Sequence, residues 1–508
     1  MNALDRVIGY FSPVSGLRRA AARISLDHVR NYDGAMFGRR TAGWRSSTAS
    51  ANILTKGALP TLRARSRDVS RNTWWGARVK TTVVSHAVGA GIMPKPNTGN
   101  KALDKRIKKA WKKWGKHCDA EGQLHIDGLI ALATGCIVES GEVLGRMVGV
   151  SINDVPPGVV PLEFQLLEPD HLDASRDRVM TSDTIIDQGI EYTRRGKRRG
   201  YWIHPTHPGA RGLVMPSASV RVAASDMLHA YRKDRIGQGR GVPWVAPVLL
   251  KGRDVADLEE AVVVKSRIEA CLAAFVETTD ASRTIADKAK TETGPDGAKR
   301  RIEALSPGMI NYLEPGEKIS TVAPTASVQF ELVLMSNWLT LAAGAGITYD
   351  QLTGDLRGAN FSSLRAGKIE FRRMIEQFQH HTLVAMLLEP LWDRWTEAAQ
   401  DAGILPRRAV GYPVEWIMPA NEPIDPLKDM QADVMAVRTG RMTWPQFVAA
   451  WGLDPDTQLD EIEEWFKDVD RRKIALDTDP RRPAISPKAI GKGDKQTEDN
   501  TDDNPAKP

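Results

Sequence analysis

Acidic side chains and histidines are the residues in this chain whose spacing invites a chemical reading. Asp350, Asp355 and Glu370 lie in and just after a glycine-rich stretch, ITYDQLTGDLRGANFSSLRAGKIEFRR at 347–373. Carboxylates so placed would suit a divalent-metal cluster of the kind that drives phosphodiester cleavage. A polar loop capping the helix that follows explains the same residues more simply. His204 and His207 stand in HPTHPG with no carboxylate or cysteine set beside them in sequence, which argues against a metal centre. His380 and His381 are adjacent on a helical pattern, so they point about 100° apart and poorly suit one ion.

The other reactive patterns fail on spacing. IGQGRG at 236–241 has the glycines of a phosphate loop, but Pro243 and Pro247 stand where the helix would have to open. There is no GxxxxGK[ST], GxSxG or HExxH. Cys118, Cys136 and Cys271 are odd in number and far apart, so a disulfide framework or zinc site is not expected and a reducing compartment is. No metal and no cofactor are expected. A chain of 508 residues without a converging reactive set reads as a structural or mechanical part rather than an enzyme.

The elements that must position these residues follow from periodicity. Residues 1–60 read as a loose basic arm with a helix near 15–30. The pattern at 67–88 predicts one helix, ended by Gly89 and Gly91. Residues 104–116, DKRIKKAWKKWGK, predict a short basic helix. Its Trp111 and Trp114 are spaced i, i+3; aromatics among lysines can mark nucleic-acid binding, but this spacing favours a face packed on a core. Residues 125–245 read as mixed α/β, with a helix at IDGLIALATGCIVESG, strands at EVLGRMVGV and PLEFQLLEP, and a hairpin in GIEYTRRGKRRGYWIHP. From 248 an amphipathic helix of roughly 45 Å is expected. A polar segment without periodicity follows at 278–301, then a strand and turn in SPGMINYLEPGEKIS, a second helix from 328, and the glycine-rich loop. The helix after the loop should run roughly 55–60 Å and kink at Pro390. A strand at YPVEWIMP, a helix–turn–helix after Asp425 and one more helix at 459–476 precede a tail expected to be disordered.

Size and charge bound the class. Hydrophobic residues make up 42% and charged residues 26%, as in a folded protein of two to four domains. No run approaches the about 18 apolar residues of a membrane span, and the first residues lack a signal-peptide core. The net charge of +7 hides an asymmetry: up to Lys116 there are 24 Lys and Arg against 5 Asp and Glu, and the remainder is acidic. The basic face carried by Lys105, Arg106, Lys108, Lys109, Lys112 and Lys113 therefore suits nucleic acid or an acidic face of a neighbouring subunit.

Taken in order, RDVSRNTWWGARVKTTVVSHAVGAGIMPKP, DGLIALATGCIVESGEV, PLEFQLLEPDHLD, YWIHPTHPG, RIGQGRGVPWVAPVLLKGRDVADLEEA, YLEPGEKIS, GITYDQLTGDLRGANFSSLRAGKIEFRR and IDPLKD resemble the lambda-type portal proteins of tailed bacteriophages, over about residues 60–475. The resemblance implies an α+β portal-type subunit with an α/β wing, a long helical stem, a clip, a tunnel loop and a mainly helical C-terminal crown, assembling as a ring of about twelve. By order of parts it implies an N-terminal arm at 1–60, wing at 61–247, stem helices at 248–277 and 328–345 flanking a clip at 278–327, and a tunnel loop at 346–362. A long kinked wing helix at 363–402, wing return and crown at 403–476 and a tail at 477–508 complete it.

The implied function is a channel at one capsid vertex for double-stranded DNA. It would dock the terminase large subunit during packaging and a head-completion adaptor or tail protein afterwards, beside the major capsid or scaffold protein. Its place would be the virion, and the host bacterial cytoplasm during assembly, with no membrane. The loop residues Tyr349, Asp350, Asp355, Arg357 and Asn360 would face DNA, and Lys299, Arg300, Arg301 and Glu303 of the clip would meet terminase. A metal-dependent nuclease and a nucleic-acid-binding adaptor that forms no ring stand as the rival readings.

Overall fold

The structure, a computed structural model, describes residues 46–474 except 182, 211–217, 272–273, 277–290, 294–298, 302–309, 313–327 and 358–360. It also describes most of 10–22, all of 39–44, and residues 476, 479 and 481. Two compact units divide the chain, Met1–Leu54 and Thr55–Pro508. In the first, the described positions of 10–22 are mostly helical, with Tyr10, Phe11, Val14 and Leu17 exposed.

The larger unit opens with α1 (Leu59–Asn72) and α2 (Trp74–Ala87). The single helix expected over 67–88 is thus two. Thr73 breaks it: its backbone is extended (φ −122°, ψ 140°), and its hydroxyl accepts from the Gly76 N–H at 3.3 Å. That is an N-cap inside an apparently continuous pattern. Gly76 is needed at the turn, because a Cβ there would lie 2.5 Å from Val69.

Strand β1 (Met93–Pro96) leads to α3 (Lys101–Trp114), capped by the Asn100 carboxamide. Next comes α4 (Ile126–Ser140), apolar on most sides and largely buried. It ends at Gly141, whose φ of 91° is a left-handed cap that favours glycine. Strands β2 (Glu142–Gly149) and β3 (Leu162–Leu167) begin a three-stranded antiparallel sheet. A five-stranded antiparallel meander follows, β4 (Arg178–Thr181), β5 (Thr184–Asp187), β6 (Ile190–Thr193), β7 (Arg198–Ile203) and β8 (Val220–Ala223). The expected hairpin is β6–β7. Strand β9 (Met227–Tyr231) returns to the first sheet, in the order β3–β2–β9.

Two long helices come next: α5 (Leu249–Cys271) and, after an interval, α6 (Val328–Ala345). Helix α5 is shorter than the expected 248–277, since Ala274–Val276 is a strand, β10. The interval read as lacking periodicity contains β11 (Thr291–Thr293) and β12 (Lys299–Arg301), paired antiparallel; β13 (Ile310–Tyr312) pairs with β10. The stretch 346–362 is not a plain loop either, because α7 (Tyr349–Thr353) lies within it.

The long helix after it is α8 (Phe361–Phe378), a π-helical stretch (Gln379–Leu388) and α9 (Glu389–Asp401), helical throughout. Pro390 sits in the first turn of α9, directly after the widened segment. Proline lacks an N–H and collides with the carbonyl four residues back. Opening the preceding turns to i→i+5 bonding accommodates both defects. Strand β14 (Val414–Ile417) pairs antiparallel with β1, and α10 (Pro426–Arg438), α11 (Trp444–Ala450) and α12 (Pro455–Arg472) close the described chain.

The main core gathers α2, α3, α4, β2, β3 and the long helix. At its centre lies a tryptophan cluster. Trp111 stands 5.0 Å from Trp114, 5.2 Å from Trp392 and 5.1 Å from Trp395, ring centroid to centroid. The tryptophans of the basic helix are therefore core residues and offer no stacking platform for bases.

Candidate functional site

The loop between α6 and α8 is built from local rules. The Thr348 N–H donates to Gln351 Oε1 at 3.0 Å, one half of a capping arrangement, and starts α7. Gly354, with φ 73°, ends it, donating to the Asp350 carbonyl at 2.8 Å. Arg78 of α2 ties the turn to the body, its Nε donating to the Gln351 carbonyl at 2.7 Å. Beyond Gly354, Asp355 accepts from Arg357 Nε at 3.0 Å and Nη2 at 2.9 Å, and from its backbone N–H at 3.0 Å. Arg357 holds the Asp355 carboxyl down at about 2.

Tyr349, Asp355 and Arg357 thus come together around a cavity of about 570 Å³ that also touches Trp74, Glu259 and Trp338. The charges in this loop largely neutralise one another. Asp350 is half-buried on α7, and Asn360 lies outside the described residues. The proposed acidic trio of Asp350, Asp355 and Glu370 does not gather into a metal-holding group among the described residues. Trp338 Nε1 donates to Glu259 Oε1 at 2.9 Å, joining α6 to α5 at the same cavity.

Of the residues expected to meet terminase, Lys299, Arg300 and Arg301 form β12, where Arg300 is the register partner of Glu292; Glu303 lies outside the described residues. On α3, Lys105 pairs with Asp460 at 2.7 Å and Lys108 with Asp454 at 2.6 Å. Arg106 donates to the Ile404 carbonyl and Lys113 to that of Pro157. Lys109 and Lys112 are exposed. The basic face is thus partly covered by an acidic face of its own chain, an arrangement that sequence reasoning placed only on a neighbour.

Two charged clusters escaped the sequence. Glu142, fully buried at the start of β2, binds Arg240 (Nη2 to Oε1, 2.6 Å), His229 (Nε2 to Oε2, 2.9 Å) and the Gly241 N–H (2.8 Å), and Arg63 of α1 also donates to it. Burial disfavours its charge, but Arg240, His229 and Arg63 more than offset that and hold the carboxyl well below its usual range. This gives the IGQGRG segment its role. Gly241 packs so closely on Gly141 that a Cβ would lie 2.1 Å from the Gly141 carbonyl oxygen. Residues 63, 142, 229 and 240 carry no sequence signal that joins them.

The second cluster brings Glu168 and Asp170 to His207, with ligand atoms within 4.8 Å of one another. These carboxylates, remote from HPTHPG in sequence, are neighbours in space. The Arg67 guanidinium already sits between them, 3.0 Å from Glu168 and 2.5 Å from Asp170, and supplies the positive charge a metal would bring. Burial pushes the thiols of Cys118 and Cys136 up to about 12, which removes both as nucleophiles at neutral pH.

Comparison with known proteins agrees with a non-catalytic reading. A curated probable portal protein of Halomonas phage phiHAP-1 is 25% identical over 500 residues, 94% of this chain and 93% of the relative. Solved structures of gene transfer agent particles are also similar. The neck of an empty particle with C6 symmetry shares 14% identity over 77% of this chain and 94% of that one, with a TM-score of 0.42. The neck of a native particle with C12 symmetry shares 15% over the same proportions, with a TM-score of 0.40. The family described as phage portal protein, lambda family, matches residues 37–379, about two thirds of the sequence, and the chain belongs to that family of structural, non-enzymatic proteins.

Proposed function

We propose that the chain is one subunit of a ring of about twelve copies, set at a single capsid vertex, through which double-stranded phage DNA passes in both directions. Its structural role as a capsid portal follows from the family. The ring, its DNA and its docking partners go beyond that.

The observation that carries the ring is the apolar surface of the paired helices. Helix α6 has a single charged residue, Glu331, in 18, yet Leu332, Val333, Met335 and Leu339 are exposed. Helix α5 likewise exposes Val263 and Val264. A helix apolar around its circumference needs cover on every side. Neighbouring copies of the same helices supply that cover in a cyclic assembly. In this reading α5 and α6 are the stem, β10–β13 belong to a clip that meets the terminase large subunit, and α7 with Asp355–Arg357 is the tunnel loop.

The self-paired loop suits passage of DNA. A polyanion crossing a ring of copies must be held weakly at many points, because tight phosphate contacts would stall it. Asp355 occupies Arg357 and tempers its pull on phosphate. Helices α10–α12 form the crown, and capsid or scaffold protein and a head-completion adaptor complete the vertex.

The test is the mass and shape of the purified protein, by light scattering and negative-stain microscopy. Expected is a closed ring with a central hole, near twelve times the 56.0 kDa chain. A monomer or dimer at every concentration would sink the ring and return the non-ring adaptor reading.

A further inference from the structure

Helices α3 and α12 are of opposite charge and lie against each other. Helix α3 carries seven Lys and Arg with one acid, Asp104. Helix α12 carries seven acids between Asp456 and Asp470. Its basic residues are engaged along its own length: Lys467 with Glu463 at 2.5 Å, Arg472 with Asp468 at 2.8 Å, and Arg471 with Asp468 as well. The first half of α12 therefore turns unneutralised carboxylates toward α3. Lys105 meets Asp460 at 2.7 Å, and Lys108 meets Asp454 at 2.6 Å and Asp456 at 3.6 Å.

The contact is electrostatic and not closely packed. A cavity of about 510 Å³ opens beside the contact, lined by Lys108 and Lys112, by Gln458 and Glu461, and at its base by apolar Ile92 and Trp111. Helix α12 buries only Pro455 and Val469 among its own residues. The Lys105–Asp460 pair is about half exposed and Lys108–Asp454 is the more covered of the two; salt or a competing polyanion weakens the exposed pair first. Carboxylates one helical turn apart, about 6 Å, present the lysines with a repeating negative charge, as a phosphate backbone does.

We propose that α12 is a displaceable acidic cover on a phosphate-binding face of α3. With the cover off, Lys105 and Lys108 join the exposed Lys109 and Lys112 in holding the backbone of double-stranded DNA without reading its sequence. The intramolecular cover wins when DNA is dilute, and DNA displaces it when its local concentration is high. The inference rests on the portal reading for its polyanion, and the face lies outside the channel loop's own residues.

The test uses the full-length assembled protein and a labelled duplex of about 30 base pairs, with anisotropy titrations from ~0.1 to ~0.3 M salt. Asp454→Asn with Asp460→Asn uncovers the face, and Asn remains a good N-cap at 454, so the helix persists. Expected is about a tenfold gain in affinity at ~0.1 M salt and a salt dependence steeper by about two charges. Hydrogen exchange over 455–472 should rise in this variant, and in the unmodified protein when duplex is added. Adding Lys109→Glu and Lys112→Glu should abolish the gain.

If exchange shows α12 still seated, Asp454→Lys with Asp460→Lys forces it off and takes the same readouts. Unchanged affinity with α12 released overturns the proposal, as does a gain that survives the lysine reversals. Ring mass, measured on every variant, keeps this outcome separate: intact rings without the gain refute the cover alone, and loss of rings in the unmodified protein refutes the portal assembly.

Discussion

Glu142 ties α1, β9 and the segment at 240–241 to the start of β2, and its one carboxylate meets Arg63, Arg240 and His229 together. Two guanidiniums already exceed it, so a third positive charge there is unwelcome. Burial, with Arg198 and Arg240 nearby, pushes His229 down to about 4 even though Glu142 accepts its Nε2–H. The unfolded chain takes up this proton near the ordinary ~6.5, whereas the folded one waits until about 4. Stability should therefore fall as the pH drops through that window, by about 2 kcal/mol near pH ~5. Below it the loss continues as Glu142, whose depressed pKa stabilises the fold at higher pH, is protonated. Urea denaturation at pH ~7 and ~5 measures this, and His229→Gln should flatten the upper part of the profile. An equal midpoint at both values would mean that the imidazole titrates normally in the fold.

At the scale of elements, the long helix shows how packing decides what a pattern leaves open. Its stripe of Phe371, Ile375, Phe378, Trp392 and Trp395 is readable at helical spacing, and all five are buried. What Pro390 does to the helix is not readable, because a kink and a widened turn relieve the same clash. The partners of each tryptophan also come from the tertiary structure. Trp114 Nε1 donates to the Leu162 carbonyl at 2.7 Å, whereas Trp395 Nε1 is buried without a hydrogen-bond partner. Trp395→Phe should therefore cost less than about 1.5 kcal/mol, since it removes an unsatisfied donor along with some volume. Trp114→Phe should cost about 1–3 kcal/mol more, because it strands a buried carbonyl. Paired denaturation curves decide, and equal losses would show that volume alone matters. The break at Thr73 teaches the same lesson: its neighbours keep helical periodicity across the cap, so only backbone geometry reveals two helices.

At the scale of the whole molecule, the exposed apolar flanks of α5 and α6 are what the proposed ring would cover. Leu339, 46% exposed near the middle of α6, reports on this. Leu339→Glu should leave helix content unchanged, since the site is half in water already, and should shift the proposed ring toward smaller species in sedimentation. Unaltered ring mass would place the subunit interface elsewhere. The C-terminal helices behave differently: α10 buries none of its residues, and ion pairs such as Arg365–Asp429 at 3.2 Å help tie it to the long helix.

Legible from the residues alone were the family, the lack of a familiar reactive motif, the basic first quarter against an acidic remainder, most of the long helices, and the strands β2, β3, β6, β7 and β14. Each of these rests on local order: periodicity, caps, turn residues and the succession of segments. Which charges meet was set by the folded chain. Folding buried Glu142 among two arginines and a histidine, brought Glu168 and Asp170 to His207 with Arg67 between them, closed Asp355 onto Arg357, and laid α12 over the lysines of α3. The physical reason is that a charge's partner is chosen by distance and desolvation in the folded chain, quantities that residue spacing along the sequence does not encode.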